Sequence, residues 1–240
     1  MARAPEDVVA LLLRERPRFH FGGSTDLGLH EDCLRWLARV PEASGRTLET
    51  GSGMSTVVLL SRASRHTSVT PAGAEHDAIR AWCAEHDIDT SAFDPVVAPS
   101  QIALPQRVDD GPLDLVLIDG WHGFPVPQID WFYTADRLRQ GGLLMIDDQH
   151  LRPCRLLRDF LARDTERWRD EGWVGRAAVF RKLVDEPVST INFPRQPWSS
   201  TLLSVPTDPL RHRLAVVRSR LKVRTRIRAA VHRLGQRTRT

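Results

Sequence analysis

Three aspartates stand at the ends of two apolar segments. Asp119 falls in LDLVLIDG (113–120), and Asp147 and Asp148 end GGLLMIDD (141–148). Carboxylates so placed cost free energy unless water, a cation or hydrogen-bond donors satisfy them. If the segments are neighbouring strands, the three groups repel one another unless a cation binds them. Oxygen ligands of this kind suit Mg²⁺, so the pattern predicts a metal site formed by the three aspartates; the alternative is a set of caps and turn residues.

Two histidines follow these carboxylates closely in the sequence. His122 lies three residues beyond Asp119, and His150 lies two residues beyond Asp148. A metal ion at the aspartates could bind a substrate hydroxyl and lower its pKa, and either histidine could then accept the proton. The catalytic candidates are therefore His122, His150 and Asp119. The sequence does not choose between the two histidines, and His122 could equally be a partly buried loop residue.

A glycine-containing turn follows the first predicted strand, in the segment LETGSGMST (48–56). Gly51 and Gly53 permit positive φ and close backbone approach, and the next helix would offer free N–H groups at its start. Such a loop suits a nucleotide-like ligand, although a simple tight turn would look the same. Glu49, just before the glycines, could pair with a cationic group of that ligand.

Two features count against a nicotinamide-dependent oxidoreductase, which is the alternative enzyme class. Ser55 stands where the dinucleotide fingerprint has its third glycine. The acid expected at the end of the second strand is also missing, because the sequence there is Val69-Thr70-Pro71.

The chain alternates apolar strand-like segments with helical ones. Strands are predicted at 47–50, 67–70, 94–99, 113–120, 141–148 and 173–183. Helices are predicted at 5–16, 30–40, from about 55, 74–86, 128–139 and 153–163. This alternation predicts an α/β fold with a doubly wound parallel sheet. The nearly continuous apolar run in 113–120 is typical of a parallel strand that is buried on both faces.

The predicted sheet brings the separate motifs to one place. Ligands of doubly wound sheets bind at the carboxyl ends of the strands. The glycine loop follows strand one, Ser100 follows strand three, Asp119 ends strand four, and Asp147 with Asp148 ends strand five. All four should therefore lie on the same edge, which is the strongest functional inference that the sequence allows.

In that order, the segments LETGSGMST, SQIALP, LDLVLIDGWH and LRQGGLLMIDDQH resemble the class I S-adenosylmethionine (SAM)-dependent methyltransferases. Within that class the chain is most similar to small-molecule O-methyltransferases of the macrocin and cephalosporin-biosynthesis type, over residues 28 to 183. The resemblance implies a Rossmann-like, mostly parallel seven-stranded sheet with helices on both faces. It also implies O-methylation of a hydroxyl on a sugar or secondary metabolite, with SAM as cofactor and Mg²⁺ as a further candidate.

The resemblance also assigns roles to residues. Ser55 would bind the methionine carboxylate end of the cofactor, and Ser100 would lie near the adenine. The full set of implied cofactor contacts is Glu49, Gly51, Gly53, Ser55, Thr56, Thr70, Ser100 and Asp119, and the implied metal ligands are Asp119, Asp147 and Asp148. Thr70 departs from the family, which has an acid there for the ribose hydroxyls, so either Glu75 substitutes or the contact is lost. Some relatives bind no metal, in which case the carboxylates would orient the substrate.

Size and composition predict one large domain in a cytoplasmic protein. The chain has 240 residues, 41% of them apolar, and no segment approaches the roughly 20 apolar residues that span a bilayer. No secretory signal is recognised at the start. Three widely spaced cysteines are typical of reduced thiols, not of a disulfide framework or a zinc site.

The charge is unevenly distributed along the chain. The overall net charge is +4, but residues 207–240 contain eleven Lys or Arg and one acid, which leaves the rest acidic. Helically spaced apolar residues among these arginines predict a basic amphipathic helix on an anionic membrane surface or polyanion, or else a helix packed on the domain or a solvated tail. There is no base-reading motif, so sequence-specific nucleic-acid binding is not expected.

Four segments follow from these patterns. They are an N-terminal helical segment (1–45), a SAM-binding Rossmann-like domain (46–183), a proline-rich linker (184–209) and a basic amphipathic tail (210–240). The expected partners are a small-molecule acceptor, the membrane surface or polyanion, and a second copy of the chain. A non-catalytic, membrane-associated protein on a methyltransferase-like fold is the alternative from outside the enzymes.

Overall fold

The computed structural model describes residues 3–20, 28–191 and 193–199. Within these residues the strands are β1 (Arg46–Thr50), β2 (Arg65–Thr70), β3 (Phe93–Val97), β4 (Leu113–Ile118), β5 (Leu138–Ile146), β6 (Trp168–Val174) and β7 (Ala177–Lys182). The α-helices are α1 (Pro5–Glu15), α2 (Glu31–Leu37), α3 (Met54–Leu60), α4 (Gly73–Glu85), α5 (Ser100–Ala103), α6 (Val126–Ala135) and α7 (Arg152–Leu161).

All seven strands form one sheet in the order β3-β2-β1-β4-β5-β7-β6. The five strands from β3 to β5 are parallel to their neighbours. β7 runs antiparallel to β5, and β6 runs antiparallel to β7. The predicted Rossmann-like, mostly parallel seven-stranded sheet is therefore confirmed.

The apolar sequence of β4 explains its central place in this sheet. Successive side chains of a strand point to opposite faces, so a strand covered on both sides must be apolar throughout. Leu115 and Leu117 enter the core on one face, and Val116 and Ile118 enter the core on the other. Helices α1 to α4 contribute buried residues to the first core, and α6 and α7 contribute to the second.

Two predicted segments have different boundaries in the structure. The single strand predicted at 173–183 is a hairpin, because Gly175 adopts a positive φ of 55° and reverses the chain between β6 and β7. The helix predicted at 128–139 ends at Ala135, and β5 begins at Leu138. Gly141, with φ 81°, lies inside β5 and does not start it.

The order of the strands creates the crevice in which such sheets bind ligands. From β1 the chain passes outward to β2 and β3 and then returns to β4 on the other side of β1. The loops after β1 and β4 consequently leave the sheet side by side in opposite senses, which opens a crevice at their carboxyl ends. The predicted site residues lie around this crevice.

The chain divides into two compact units, residues 1–191 and 192–240. In the first unit, α1 and α2 supply buried residues such as Leu12 and Leu34 to the same core as α3. Val188 and Ile191 are also buried there. The described part of the second unit contains one short 3-10 helix, Phe193–Arg195. The predicted tail and the second part of the predicted linker, from residue 200, lie outside the described residues. No helix in the described part is long and apolar enough to cross a membrane.

Candidate functional site

Gly51 is the residue of the β1 loop that tolerates no side chain. Its φ is 93°, and a Cβ there would lie 2.5 Å from the backbone oxygen of Asp119. Only glycine combines this left-handed conformation with so close an approach. Gly53 differs, because its φ of 162° is an extended conformation and an added Cβ would meet only His20, at 3.4 Å. The predicted need for glycine is thus supported at Gly51 and not at Gly53.

Glu49 holds the β1 loop and the first turn of α3 in place through hydrogen bonds. Its carboxylate is buried and accepts hydrogen bonds from the hydroxyls of Ser55, at 2.7 Å, and Thr56. His66 lies 3.1 Å from the same carboxylate. Protein groups engage both oxygens of this carboxylate, and the pairing of Glu49 with a cationic ligand group stays a prediction. Ser55 likewise directs its hydroxyl to Glu49 and not to the loop opening.

Glu75 supplies an acid at the end of β2, where the sequence had appeared to lack one. The Thr70 hydroxyl donates to Glu75 at 3.2 Å, the Ser52 hydroxyl also donates to it, and His20 pairs with it at 3.0 Å. Burial tends to raise the pKa of Glu75, but the hydrogen bonds from His20 and Ser52 outweigh this and hold that pKa below its usual value. The carboxylate is therefore ionised beside the crevice, as the substitution by Glu75 requires.

Ser100 begins α5 and faces a buried carboxylate that the sequence reading missed. Asp130, on α6, is fully buried, and the hydroxyls of Ser100 and Thr50 face it. Burial raises the pKa of Asp130 to about 6, although these hydroxyls act in the opposite direction. Among the described residues neither oxygen of Asp130 has a well-formed hydrogen bond. The sequence does not predict a role for a single aspartate in a helix, because the residues that face it are distant in the chain.

Two of the three aspartates at the ends of β4 and β5 share a possible ligand set with His122. Asp119 and Asp148 each direct an oxygen to a common point, where they are joined by His122 and not by Asp147. Asp147 is almost completely buried, on the same side of β5 as Leu143 and Met145, and one of its oxygens has no partner among the described residues. Asp148 has φ 51°, a left-handed conformation that breaks the alternation of β5. Asp147 is absent from the group of ligand atoms that lie within 4.8 Å of one another, and its inclusion as a metal ligand stays a prediction.

Burial and the neighbouring carboxylates change the pKa values of Asp119 and Asp147. Burial, followed by repulsion from Asp147, raises the pKa of Asp119 well above its usual value. Burial also raises the pKa of Asp147, although the backbone N–H of Asp148 acts in the opposite direction. Arg176, in the turn between β6 and β7, lies 3.5 Å from Asp148 and 3.9 Å from Asp147. Arg176 has no sequence signal, because the strand predicted at 173–183 conceals the turn that carries it.

His122 is the more enclosed of the two candidate histidines. Its Nε2 lies 3.0 Å from Asp148, and its Nδ1 lies 3.6 Å from the sulfur of Cys154. His150 is 58% exposed, and its Nδ1 lies 3.6 Å from Asp148. Both histidines therefore contact the same carboxylate.

Cys154, His122 and Asp148 are arranged in the order of a nucleophile, base and acid in a catalytic triad. The properties of the Cys154 thiol, however, do not suit a nucleophile. Cys154 is fully buried. Burial, reinforced by the charge of Asp148, raises the pKa of the Cys154 thiol to about 12. The thiolate is the nucleophilic form of cysteine, so this thiol is protonated and unreactive near neutral pH.

A divalent cation fits the set formed by Asp119, His122 and Asp148. One ligand atom from each residue can be chosen so that all lie within 4.8 Å of one another. Carboxylate oxygen and imidazole nitrogen are both common ligands of divalent metal ions. A cation there would also offset the repulsion that raises the pKa of Asp119.

The fold and the site together define a class of protein. A seven-stranded sheet of this order, with a glycine loop after β1 and acids at the ends of β2 and β4, is the class I methyltransferase fold. Residues 48–149 match the family described as a methyltransferase domain. The chain thus has the class I methyltransferase fold, and the match over residues 48–149 supports the coarse part of the resemblance. No curated protein matches the sequence.

Solved structures share the fold at low sequence identity. The O-methyltransferase TomG from Streptomyces achromogenes, in complex with SAM, has a TM-score of 0.54 and 16% identity, over 77% of this chain and 91% of its own. An O-methyltransferase from Bacillus cereus in complex with SAH has a TM-score of 0.52 and 14% identity, over 75% of this chain and 90% of its own. The MycE methyltransferase of the mycinamycin pathway, with Mg, SAH and mycinamycin VI, has a TM-score of 0.53 and 14% identity; the match covers 77% of this chain and 56% of MycE.

Proposed function

We propose that this protein is a SAM-dependent methyltransferase that O-methylates a hydroxyl on a small molecule, a sugar or secondary metabolite. The observation that carries the proposal is the convergence of the Gly51 loop, Glu75, Ser100 and the Asp119–His122–Asp148 set on one edge of the sheet. The methyltransferase-domain match over residues 48–149 supports it. Three fold neighbours, one with SAM and two with SAH, support the choice of cofactor.

The crevice offers each part of SAM a suitable partner. The backbone of the Gly51 loop can approach the methionine and ribose region closely, because no side chain intervenes. The ionised Glu75 can accept hydrogen bonds from the ribose hydroxyls. Ser100 and the loop after Asp119 flank the place expected for the adenine. Glu49, Ser55 and Thr56 then act indirectly, by fixing the loop and the first turn of α3.

For this reaction the protein must supply a base and hold the acceptor in line with the methyl group. No covalent intermediate with the protein is required. The acceptor hydroxyl loses its proton to His150 or His122, and its oxygen attacks the methyl carbon of SAM. The carbon–sulfur bond breaks as the new carbon–oxygen bond forms, which gives a methyl ether and S-adenosylhomocysteine. Holding the acceptor oxygen in line with the methyl group raises the reaction rate, because the two reacting groups are already oriented when they are bound.

Asp119, His122 and Asp148 are the residues that would hold a divalent metal ion. When bound, such an ion lowers the pKa of a coordinated hydroxyl and so makes it a better nucleophile near neutral pH. If no ion binds, the Asp148 carboxylate can still orient His122 or His150 for proton transfer. The macrocin and cephalosporin-biosynthesis type is the narrower assignment, and it is supported by MycE, which was solved with Mg and mycinamycin VI.

A screen of candidate acceptors by mass spectrometry tests the function directly. The protein is incubated with SAM and a panel of hydroxylated natural products, with and without divalent metal ions. We expect a product heavier by one methyl group and matching formation of S-adenosylhomocysteine. A wild-type protein that binds SAM but methylates only amines or thiols in the panel would contradict the O-specificity.

The oxidoreductase alternative is distinguished by a parallel titration with NADH. An acid at the end of β2 suits the ribose of either cofactor, so Glu75 does not distinguish SAM from NADH. Ser55, held by Glu49, still occupies the position of the third fingerprint glycine. We expect no change in NADH fluorescence on mixing; a saturable change, together with no SAM binding, would favour the oxidoreductase.

A further inference from the structure

A small cavity lies between the end of α1 and the start of α3. Its volume is about 180 Å³, and the large apolar side chains that line it are Leu13, Pro17, Phe19, Leu29 and Met54. Phe19 and Leu29 are buried, so the inner part of the cavity is apolar. An apolar cavity of about 150 Å³ can hold a benzene ring. The cavity therefore has room for one ring of a small molecule.

The cavity lies next to both the cofactor side and the base side of the crevice. His20 lines it and pairs with Glu75, the acid proposed for the ribose, at 3.0 Å. Gly28 also lines it, and its carbonyl oxygen accepts a hydrogen bond from Arg176 at 3.4 Å. Arg176 in turn lies 3.5 Å from Asp148. A methyl acceptor must lie between the cofactor and the base, and this cavity is in that position.

Two arginines line the exposed part of the cavity. Arg16 and Arg18 are exposed, and the acid that accompanies them in the lining is Glu31. Glu31 forms an ion pair with Arg35, at 2.6 Å, and no salt bridge to Arg16 or Arg18 occurs in the described part of the chain. The guanidinium group binds a carboxylate through two parallel hydrogen bonds. The exposed part of the cavity is therefore suited to a carboxylate.

The backbone of Arg16 is fixed by the end of α1. Arg16 has φ 47°, a left-handed conformation, and its N–H donates a hydrogen bond to the carbonyl oxygen of Leu12 at 2.8 Å. Glycine is the usual residue where a helix ends in this conformation. The hydrogen bond anchors the main chain of Arg16, and its exposed side chain is left to contact a ligand.

We propose that this cavity is the acceptor subsite and that it takes a hydroxylated ring compound that carries a carboxylate. The ring occupies the apolar part, the carboxylate contacts Arg16 and Arg18, and a hydroxyl faces the crevice. The proposal rests on the proposed function for the identification of this ligand as the methyl acceptor. It narrows the acceptor from a hydroxylated small molecule to an acidic one.

Binding of two matched probes to the full chain, in the presence of S-adenosylhomocysteine, tests the proposal. The probe para-hydroxybenzoate has the ring, the hydroxyl and the carboxylate, and para-hydroxybenzamide has a neutral amide in place of the carboxylate. Saturation-transfer NMR titration measures both dissociation constants. We expect the carboxylate probe to bind about tenfold or more tightly, because hydrogen bonds between two charged groups are stronger than those to a neutral group. A nuclear Overhauser effect between the bound ring and the cofactor should show that the two are adjacent.

Variants of the two arginines identify the group that recognises the carboxylate. Arg16→Gln combined with Arg18→Gln should reduce the affinity for para-hydroxybenzoate to that for the amide and leave the affinity for the amide unchanged. Arg14→Gln is the matched control, because Arg14 is an exposed arginine of the same region that does not line the cavity. Thermal unfolding of each variant shows that the fold is retained.

Four results would overturn the proposal: no binding of either probe, equal affinity for the two probes, an equal effect of Arg14→Gln, or no Overhauser effect between ring and cofactor. A calorimetric titration with S-adenosylhomocysteine separates this failure from that of the proposed function. Binding of S-adenosylhomocysteine without a preference for the carboxylate probe defeats only the acceptor subsite. A preference that depends on Arg16 and Arg18, without binding of S-adenosylhomocysteine, defeats the methyltransferase assignment and leaves the cavity as a carboxylate site.

Discussion

Gly51 and Gly53 occupy one loop, but the backbone makes different demands at the two positions. Gly51 combines a φ of 93° with a close approach to the backbone after β4. Gly53 is extended and has room for a methyl group. The sequence identifies the loop but does not show which of its two glycines is required. The backbone φ and the distance to the loop after β4 decide this, and neither can be derived from the spacing of the glycines.

Gly51→Ala should therefore damage both the fold and the cofactor site. We expect a loss of roughly 1 to 3 kcal/mol in the free energy of unfolding, with loss of SAM binding, because the new Cβ strains the backbone and pushes the two loops apart. Gly53→Ala is the matched control and should retain both properties. Chemical denaturation and calorimetric titration measure the two effects. Equal behaviour of the two variants would contradict this account of the loop.

The pair formed by His20 and Glu75 should make stability depend on pH. The hydrogen bond to Glu75 raises the pKa of His20, so this contribution is complete below the ordinary histidine value of 6.5 and declines as the pH rises through the folded pKa. The pKa of Glu75 is lowered, so its contribution is present above the ordinary value of 4.5 and declines as the pH falls through the folded pKa. The pair is thus most stabilising between about pH 4.5 and 6.5.

His20→Gln should remove this dependence. Because His20 is partly exposed, the expected difference from wild type is less than about 1 kcal/mol within that window and smaller outside it. Unfolding curves collected from pH 4 to pH 8 measure it. A constant difference across the whole range would show that the pair contributes through packing and not through charge.

At the scale of the elements, the parallel half of the sheet was predictable and the hairpin was not. Strand β4 is apolar on both faces, and the alternation of strands with helices determines the direction of the parallel strands. The turn at Gly175 is flanked on both sides by residues that suit a strand, so the local pattern joined the end of β6 to β7. That error hid Arg176, and the left-handed backbone at Asp148 hid the approach of Asp148 to Asp119 and His122.

Helix α6 contains an ionisable group that should cost stability at neutral pH. The pKa of Asp130 is raised to about 6 by burial, so ionising it in the folded state is unfavourable compared with the unfolded chain, where the usual value is 3.8. The cost grows between these two pH values and is constant above them. We expect Asp130→Asn to stabilise the protein by roughly 1 to 3 kcal/mol at pH 7 and by much less at pH 4.

Thermal unfolding of this variant at the two pH values provides the measurement. Asp136→Asn, which changes an aspartate just beyond the end of the same helix, is a control for charge removal, although Asp136 also accepts a hydrogen bond from the backbone of Val188. A stabilisation by Asp130→Asn that is equal at pH 4 and pH 7 would contradict the assignment to ionisation.

At the scale of the whole molecule, charge separates the chain into two parts. Residues 207–240 have a net charge of +10, and the remaining residues have a net charge of −6. The basic segment lies outside the described residues, so the inference rests on the sequence alone. We propose that it binds an anionic membrane surface, where each Lys or Arg close to the lipid contributes about 1 kcal/mol at most.

Removal of residues 207–240 should therefore abolish binding to anionic vesicles and leave SAM binding intact. Sedimentation with phosphatidylserine-containing vesicles measures the first property, and neutral vesicles are the control for apolar adsorption. Binding of the full chain should also weaken as salt increases, because screening reduces the attraction. A truncated chain that still sediments with anionic vesicles would contradict a role for the tail.

The central claim is that the crevice of this methyltransferase domain binds SAM, and calorimetric titration of the full chain with SAM tests it most directly. We expect saturable 1:1 binding, weakened about tenfold or more by Glu75→Gln, because the amide replaces a charged acceptor of the ribose hydroxyls. Glu85→Gln, at the exposed end of the same helix, should bind as wild type does. No SAM binding by the wild-type protein, with or without divalent metal ions, would contradict the account.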